Sequence, residues 1–366
     1  MSYRIIVSGG GTGGHIFPAI AIARALQQQC PDIQILFVGA KGKMEMEKVP
    51  QAGYPIHALD IRGMDRSHWW KNIMLPYLIL KSLAQARQVL RTFKPHAVVG
   101  VGGYASFPML FAAQQAGIYT FIQEQNSFAG KANQWLGKKA TCIFVAYEGM
   151  EKFFPKQKIV ITGNPVRQDI LLTQMTREEA CHYFGLNPQY PVVLVVGGSQ
   201  GAHSINKAIL KQVKELVTRH IQLIWQTGKR DYAEIQQQAG QLSGIEVMPF
   251  IQEMGKAYAA ADVVVSRAGA IAIAELSVMQ KPAILVPFPY AAEDHQTHNA
   301  QMLVRDQAAW MVSDDEAGEK LVPAIMALCA DEEKRKSLSA HIAKWAIRDA
   351  DQQIARNILN VLQHEH

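Results

Sequence analysis

Short apolar, β-branched runs alternate with helix-patterned runs along nearly the whole chain. RIIVS (4–8), IQILFVG (33–39), HAVVGV (96–101), YTFIQ (119–123), TCIFVA (141–146) and KIVITG (158–163) predict strands. Between most of them lie segments of helical spacing, such as PAIAIARALQQQ (18–29) and KSLAQARQVLRTF (81–93). This order predicts an α/β fold: a parallel sheet with helices on both faces. The pattern breaks at Asn164-Pro165, crosses a polar stretch, and restarts with the strand, glycine turn and helix of PVVLVVGGSQGAHSINKAIL (191–210). Further strands are predicted at IQLIWQ (221–226), IEVMPF (245–250), DVVVS (262–266) and PAILVPF (282–288). Two similar domains are therefore expected, 1–163 and 164–366. A last helix over about 340–362 could belong to either. Ligands of such sheets sit beyond the carboxyl ends of the strands, and the cleft between two such domains is the expected active site.

Length and composition agree with two soluble α/β domains: 366 residues, 49% apolar and 19% charged. The charge-free run 95–123 is interrupted by four glycines and Pro108, so it reads as strand, turn, helix and strand rather than a membrane span. The glycines from Gly9 to Gly14 break the order of a signal peptide. The four cysteines are far apart and form no C-x-x-C pair, so buried reduced thiols are expected rather than zinc or redox chemistry. Charge is unevenly placed. Between Arg62 and Lys94 stand seven basic residues against one acid, an excess as large as the whole chain's +6. An anionic partner near that window is expected.

SGGGTGGH (8–15) contains G-x-G-x-x-G, the fingerprint of a dinucleotide site. The dinucleotide version also needs an acid at the end of the second strand to hold a ribose. Here Gly39, Ala40 and Lys41 stand there, so a nicotinamide-dependent oxidoreductase loses its discriminating feature. Both glycine loops, after the first strand of each half, offer backbone N–H groups at a helix N-terminus and suit a nucleotide diphosphate. His15 follows the first loop. Its position suits acid–base work, and equally a helix-start residue that packs or caps. Gln123 to Asn126 end a strand with four polar groups suited to sugar hydroxyls, or make a polar loop. Glu275 falls in the first turns of a helix after SRAG, and Gln296 and Asn299 could share a helix face. His295 and His298 have no evident third metal ligand. The D-x-D match at Asp349 and Asp351 lies in a run with the composition of a solvated helix face. Without a metal, a leaving diphosphate needs N–H groups, a helix dipole and a cation; Arg167 and Arg267 are candidates. HWWKNIMLPYLILKSL (68–83) carries more apolar residues than one core face needs. It reads either as a core helix with a basic side or as an interfacial membrane contact.

Together, GGTGGHIFPAIAIA (10–23), VGVGGYASFP (99–108), EQNSFAGKANQWL (124–136), GNPVR (163–167), VVGGSQGAHSIN (195–206), FIQEM (250–254), RAGAIAIAELSVMQKPAILVPFP (267–289) and EDHQTHNA (293–300) resemble the MurG-type N-acetylglucosaminyltransferases of peptidoglycan synthesis. The motifs occupy most of the chain in the family's order. Small departures are Gln123 where a His is common, Ala268 after Arg267, and a loop 289–294 one residue longer, which blurs the local match of His295 against Gln296.

The resemblance implies a GT-B fold, two Rossmann-like domains with parallel sheets facing a central cleft. The N-terminal one would take the acceptor and the membrane, the C-terminal one UDP-GlcNAc. It implies inverting transfer of GlcNAc from UDP-GlcNAc to the muramoyl 4-hydroxyl of lipid I, giving lipid II for cell-wall growth, shape and division, with no cofactor or metal. A GT-B enzyme for another lipid acceptor is the alternative. Donor contacts carried over by motif are Thr12, Gly13, Gly14, Asn126, Arg167, Ser199, Ile251, the run Ala270, Ile271, Ala272, Ile273, Ala274 and Glu275, and Gln296. Ile251 would offer its backbone to uracil, and Glu275 would accept from ribose hydroxyls. His15 is the expected base, with Glu124 in reserve. Membrane contact is expected from Trp69, Trp70, Lys71, Ile73, Leu75, Leu78 and Ile79, at the cytoplasmic face of the inner membrane, as a peripheral protein. Anionic inner-leaflet lipid and other cell-wall enzymes are the further expected partners, and nucleic acid is not.

Overall fold

The computed structural model of the chain describes residues 3–63, 73–198, 200–291 and 294–364. It divides into two compact units, one made of the residues up to Pro165 with those from Asp349 on, the other of Val166–Arg348.

The first unit runs β1 (Arg4–Ser8), α1 (Gly13–Gln29), β2 (Gln34–Ala40), α2 (Glu45–Gln51), β3 (Ile56–Leu59), α3 (Leu75–Phe93), β4 (Ala97–Gly100), α4 (Ser106–Gln115), β5 (Tyr119–Glu124), α5 (Lys131–Gly137), β6 (Cys142–Val145) and β7 (Ile159–Ile161). Its strands are all parallel, in the order β3-β2-β1-β4-β5-β6-β7. Alternate strand residues feed two cores. Ile5, Val7 and Phe37 pack under α1 on one face; Ile6, Val38 and Val98 pack under α4 on the other. Strand order reverses between β1 and β4. The loops that follow these two strands therefore diverge from one crevice, where ligands of open α/β sheets bind.

The second unit runs α6 (Gln168–Leu171), α7 (Arg177–Tyr183), β8 (Val192–Val196), α8 (His203–Thr218), β9 (Gln222–Gln226), α9 (Tyr232–Ala239), β10 (Ile245–Met248), α10 (Met254–Ala260), β11 (Val263–Ser266), α11 (Ala270–Val278), β12 (Ala283–Leu285), α12 (His295–Arg305), β13 (Trp310–Met311), α13 (Ala317–Ala330) and α14 (Glu332–Ile342). The sheet order is β10-β9-β8-β11-β12-β13, again all parallel, with its switch between β8 and β11. Local chemistry marks the start of α7, where Thr176 and Glu179 cap each other's backbone N–H.

Several expectations change. The continuous helix over 340–362 is two elements. α14 ends at Ile342, a short turn follows at Ala343–Trp345, and α15 (Ala350–Gln363) starts afresh after Asp349. α15 lays Ile354, Ala355, Ile358 and Leu362 into the core under α1, within the first unit. Asp351 is not on a solvated face but buried in the first turn of α15, and burial raises its carboxyl above the usual range. The apolar stretch around residue 75 and the run 81–93 form one helix, α3. Cys181 and Cys329 are buried, but Cys30 and Cys142 are only half-buried; all four are free thiols. Neither β3 nor β13 was expected. Four residues and two residues of pattern are too little to read.

Candidate active site

In the first unit, three strand ends surround a cavity of about 160 Å³. After β1 comes His15; after β4 come Gly102, Gly103, Ser106 and Phe107; after β5 come Glu124, Gln125, Asn126, Gly130, Ala132 and Asn133. Thr12 stands before α1 with extended backbone, and its hydroxyl lies 3.3 Å from His15 Nδ1. The same Nδ1 lies 3.0 Å from the Gly10 carbonyl oxygen. A carbonyl only accepts, so Nδ1 carries the hydrogen, and in the neutral ring Nε2 carries the lone pair. The imidazole rests against Gly102, where a Cβ would come within 2.8 Å of Nε2 and Cδ2. Gly102 also has a left-handed φ of 89°. Both facts call for glycine there.

The polar strand end divides its labour by side-chain alternation. Gln123 and Gln125 turn inward. Gln123 donates to Asn164 Oδ1 at 2.9 Å, and Gln125 donates to the Val101 carbonyl at 2.8 Å and to Gln123. The amides of both are thus engaged in the fold, although Gln125 also lines the cavity. Glu124 is buried, and both of its oxygens are in use. Oε1 accepts from the N–H (3.1 Å) and side chain (3.4 Å) of Asn126; Oε2 accepts from Gly130 N–H (3.3 Å) and Asn133 Nδ2 (2.9 Å). Burial raises its carboxyl above the usual range, and these donors pull against the rise. Glu124 thus ties the 125–133 loop around the cavity. Ser106 Oγ, buried at the start of α4, has no hydrogen-bond partner among the described residues. A buried hydroxyl without a partner is costly, and Ser106 is one of the residues that line the cavity.

In the second unit the candidate residues also gather at strand ends. Gln226 ends β9 and is buried. Its amide nitrogen donates to the Gly198 carbonyl at 2.9 Å, and its oxygen accepts from Ile251 N–H at 2.8 Å. It therefore joins the glycine loop to the segment expected to read uracil. It also takes the Ile251 N–H, which leaves the Ile251 carbonyl as the edge to offer. Gln226 was missed by sequence reading. Its signal was a polar residue closing an apolar strand, as in the first unit. Arg167 chelates Asp169 with two bonds of 2.9 Å and donates to the Gln252 carbonyl at 2.6 Å. Glu275 is buried in α11, and Tyr258 donates to it at 3.1 Å. Burial pushes its carboxyl up to about 7, against the opposing pull of the Arg167 charge and the Tyr258 hydrogen bond. Ala270 to Ala274 lead up to it along the first turns of α11, Ala270 and Ile273 buried and Ile271, Ala272 and Ala274 half-buried.

Gln296 accepts from Phe288 N–H at 2.9 Å near the start of α12. Asn299 does not share its face. It is fully buried and donates to the Ala268 carbonyl at 3.2 Å. Arg267 is not a cation held out for phosphate. It pairs with Asp314 and donates to the Val286 and Pro287 carbonyls (3.1 Å each) and to Ser204 Oγ at 3.0 Å. Thus it braces the start of α8. Ser199 lies outside the described residues, as do Trp69, Trp70 and Lys71. Of the candidates, His15, Glu124 and Asn126 line the cavity, with Thr12, Gly13 and Gly14 at the start of α1 beside them. Arg167, Ile251, Ala270 to Glu275 and Gln296 belong to the second unit.

On the described part of α3 and just before it, Ile73 is 69% exposed, Tyr77 57% and Leu80 68%, with Met74 also exposed. Leu75, Leu78 and Ile79 are half-buried, so the outward apolar set differs from the expected one and includes Tyr77. No helix among the described residues is long and apolar enough to cross a membrane.

Residues 5–145 match the glycosyltransferase family 28 N-terminal domain, and residues 192–354 match its C-terminal domain. A UDP-N-acetylglucosamine–N-acetylmuramyl-(pentapeptide) pyrophosphoryl-undecaprenol N-acetylglucosamine transferase of Bacteroides fragilis is 50% identical over 364 residues, covering 98% of this chain and 96% of its own. One of the same name from Cytophaga hutchinsonii is 50% identical over 360 residues, covering 98% and 97%. Among solved structures, MurG of Acinetobacter baumannii superimposes with a TM-score of 0.75 at 28% identity, covering 98% of this chain and 99% of that one. The calicheamicin glycosyltransferase CalG4 shares the fold, with a TM-score of 0.73 at 15% identity over 100% and 99% of the two chains.

Proposed function

The chain belongs to the MurG-type N-acetylglucosaminyltransferases, of the GT-B fold and glycosyltransferase family 28, and on that premise we propose the following course of reaction for it. It transfers GlcNAc from UDP-GlcNAc to the muramoyl sugar of a pyrophosphoryl-undecaprenol acceptor, lipid I, forming lipid II. The observation that carries this activity is end-to-end identity of about half with transferases of that name.

The acceptor 4-hydroxyl attacks the anomeric carbon as the bond from that carbon to the UDP oxygen breaks, so configuration inverts. His15 Nε2 takes the hydroxyl proton. The Gly10 carbonyl holds Nδ1–H and so keeps the lone pair on the cavity side. The negative charge leaving on UDP is met by N–H groups of the glycine loop 197–202 and by the N-terminal dipole of α8. Ser199, in that loop, is a proposed phosphate donor. Thr12, Gly13, Gly14 and Asn126 are proposed sugar and phosphate contacts, Arg167 and the start of α11 nucleotide contacts, and Gln296 a GlcNAc contact. The N-terminus of α4, which begins at Ser106, suits an acceptor diphosphate oxygen. Glu124 keeps the loop rather than moving the proton. The test is transfer of labelled GlcNAc from UDP-GlcNAc to a short-chain lipid I analogue with EDTA present. Transfer is expected. UDP-GlcNAc binding without transfer to this acceptor, but with transfer to another lipid, would overturn the acceptor assignment.

Glu275 supplies a pH dependence. Its carboxyl titrates near pH 7 because it is buried; above that pH both oxygens accept from ribose hydroxyls, and below it one oxygen carries a proton. If UDP binds the ionised form, its affinity is expected to be roughly 10-fold tighter at pH 8 than at pH 6. Calorimetric titration of UDP across that range checks it. Glu275→Gln should flatten the dependence; a slope retained in that variant assigns it to another group.

The chain acts at the cytoplasmic face of the membrane as a peripheral protein, with α3 as the contact. Ile73, Met74, Tyr77 and Leu80 offer an apolar surface, and Arg87 and Arg91 on the same helix are exposed. Anionic inner-leaflet lipid is the matching surface. Pairing Ile73→Ser with Leu80→Ser is expected to weaken binding to anionic vesicles by about 10-fold or more, with transfer to a water-soluble acceptor unchanged. Undiminished sedimentation with vesicles would remove α3 from the contact.

A further inference from the structure

Behind the first glycine loop lies a carboxylate that the course of reaction above does not use. Glu45 opens α2 and is 1% exposed. Its Oε2 accepts from Gly11 N–H at 2.7 Å, and its Oε1 accepts from Ala40 N–H, at the end of β2, at 2.9 Å. Two glycines leave room for it. A Cβ on Gly10 would overlap the carboxylate, and one on Gly39 would stand 2.5 Å from Glu45 Cγ. The Gly11 N–H belongs to the same peptide group as the Gly10 carbonyl. That carbonyl is the acceptor of His15 Nδ1–H at 3.0 Å. Carboxylate, peptide and imidazole therefore form one line of hydrogen bonds, from the buried end of the loop to the cavity.

We infer that Glu45 is a positioning residue for His15 and acts on it through the Gly10–Gly11 peptide. The inference rests on the reading of His15 as the base. A charged acceptor on the peptide N–H polarises the amide and makes its carbonyl a stronger acceptor, because hydrogen bonds in a chain reinforce one another. The strengthened carbonyl holds the Nδ1–H tautomer and stabilises the imidazolium that forms when Nε2 takes the acceptor's proton. An aspartate bound directly to a catalytic histidine does the same. No proton crosses the peptide. The one taken from the sugar hydroxyl stays on Nε2 until it is lost to solvent. Among the described residues lining the cavity, the other titratable group is Glu124, whose oxygens are held by Asn126, Gly130 and Asn133. Glu45 is the carboxylate behind the ring.

The test uses the full chain labelled with ¹⁵N histidine, in the parent, Glu45→Gln and Glu45→Asp proteins. Histidine NMR reads the His15 tautomer and titration midpoint, and steady-state kinetics read the pH profile. The neutral parent is expected to show the Nδ1–H tautomer. Glu45→Gln should move the His15 midpoint and the acid limb of kcat to lower pH together. It should also reduce kcat by about 10-fold, with the UDP-GlcNAc KM unchanged. Glu45→Asp, charged but one methylene shorter, should recover part of the loss. A parent His15 in the Nε2–H tautomer would overturn the inference. So would a folded Glu45→Gln whose midpoint and acid limb do not move. Should Glu45→Gln fail to fold, the parent tautomer and Glu45→Asp decide. Failure of the base reading is distinct: His15→Ala would then keep its turnover, whatever the titration shows.

Discussion

Replacing His15 by alanine is expected to lower turnover by about 10²- to 10⁴-fold, the range a general base contributes, while UDP affinity stays near the parent value. The ring is held by its Nδ1 contact to the Gly10 carbonyl and packs against Gly102, so its loss removes a placed proton acceptor. Alanine should not disturb the fold, because the site is a half-buried first-turn position of α1 and alanine favours helix. His15→Gln is the informative companion. Its amide can still donate to the Gly10 carbonyl but cannot take the acceptor's proton, so it should be nearly as slow. Rates of labelled GlcNAc transfer, with calorimetry for UDP, separate the two effects. Turnover within about threefold of the parent, too small a change for a lost base, would move the proton to another group.

Gly201→Ala should be comparably damaging by another route. Gly201 has φ +80°, and a Cβ there would overlap the Thr227 carbonyl; from the other side, a Cβ on Gly228 would overlap the Gln200 carbonyl. The two loops touch backbone to backbone. Alanine costs roughly 1–2 kcal/mol for the left-handed conformation alone, and it also pushes the loop off its neighbour. The N–H groups proposed to hold the diphosphate would leave their positions, with an expected fall of about 10²-fold in kcat/KM, the scale of losing one well-placed donor. Gly318→Ala is the control: it lies inside α13 with open space at its Cβ, so it should be neutral or slightly stabilising. Thermal melting of both variants and calorimetry with UDP check this. Unaltered UDP binding by a folded Gly201→Ala protein would count against the loop as the phosphate site.

Much of the architecture was legible because the repeating unit is local. RIIVS, HAVVGV and VVLVV are continuous apolar runs, as strands buried on both faces must be, and glycine loops mark where strands turn into helices. Residue type after the glycine turns singled out His15 and Glu275 as candidates, and the structure sets them in the first turn of α1 and within α11. The chemistry was illegible where a long-range partner decides the role. Arg267 reads as a phosphate cation, yet Asp314, 47 residues away, takes its charge. Gln123 and Gln125 read as sugar ligands, yet Asn164 and the Val101 carbonyl claim them. Glu45 carried no signal, because the acid sought at the end of β2 was one for a ribose. This one lies five residues beyond Ala40 and turns back onto the backbone.

By itself, then, the sequence determined the α/β class, the two glycine-loop openings and the family, since each rests on patterns written within a few residues and repeated in order along the chain. Only the tertiary structure decided which polar side chains face the cavity, which are spent on the fold, and that the last helix lies against α1. The physical reason is that a buried polar group must find its partner wherever the fold brings one. That partner is set by strand order and packing, which no local spacing records.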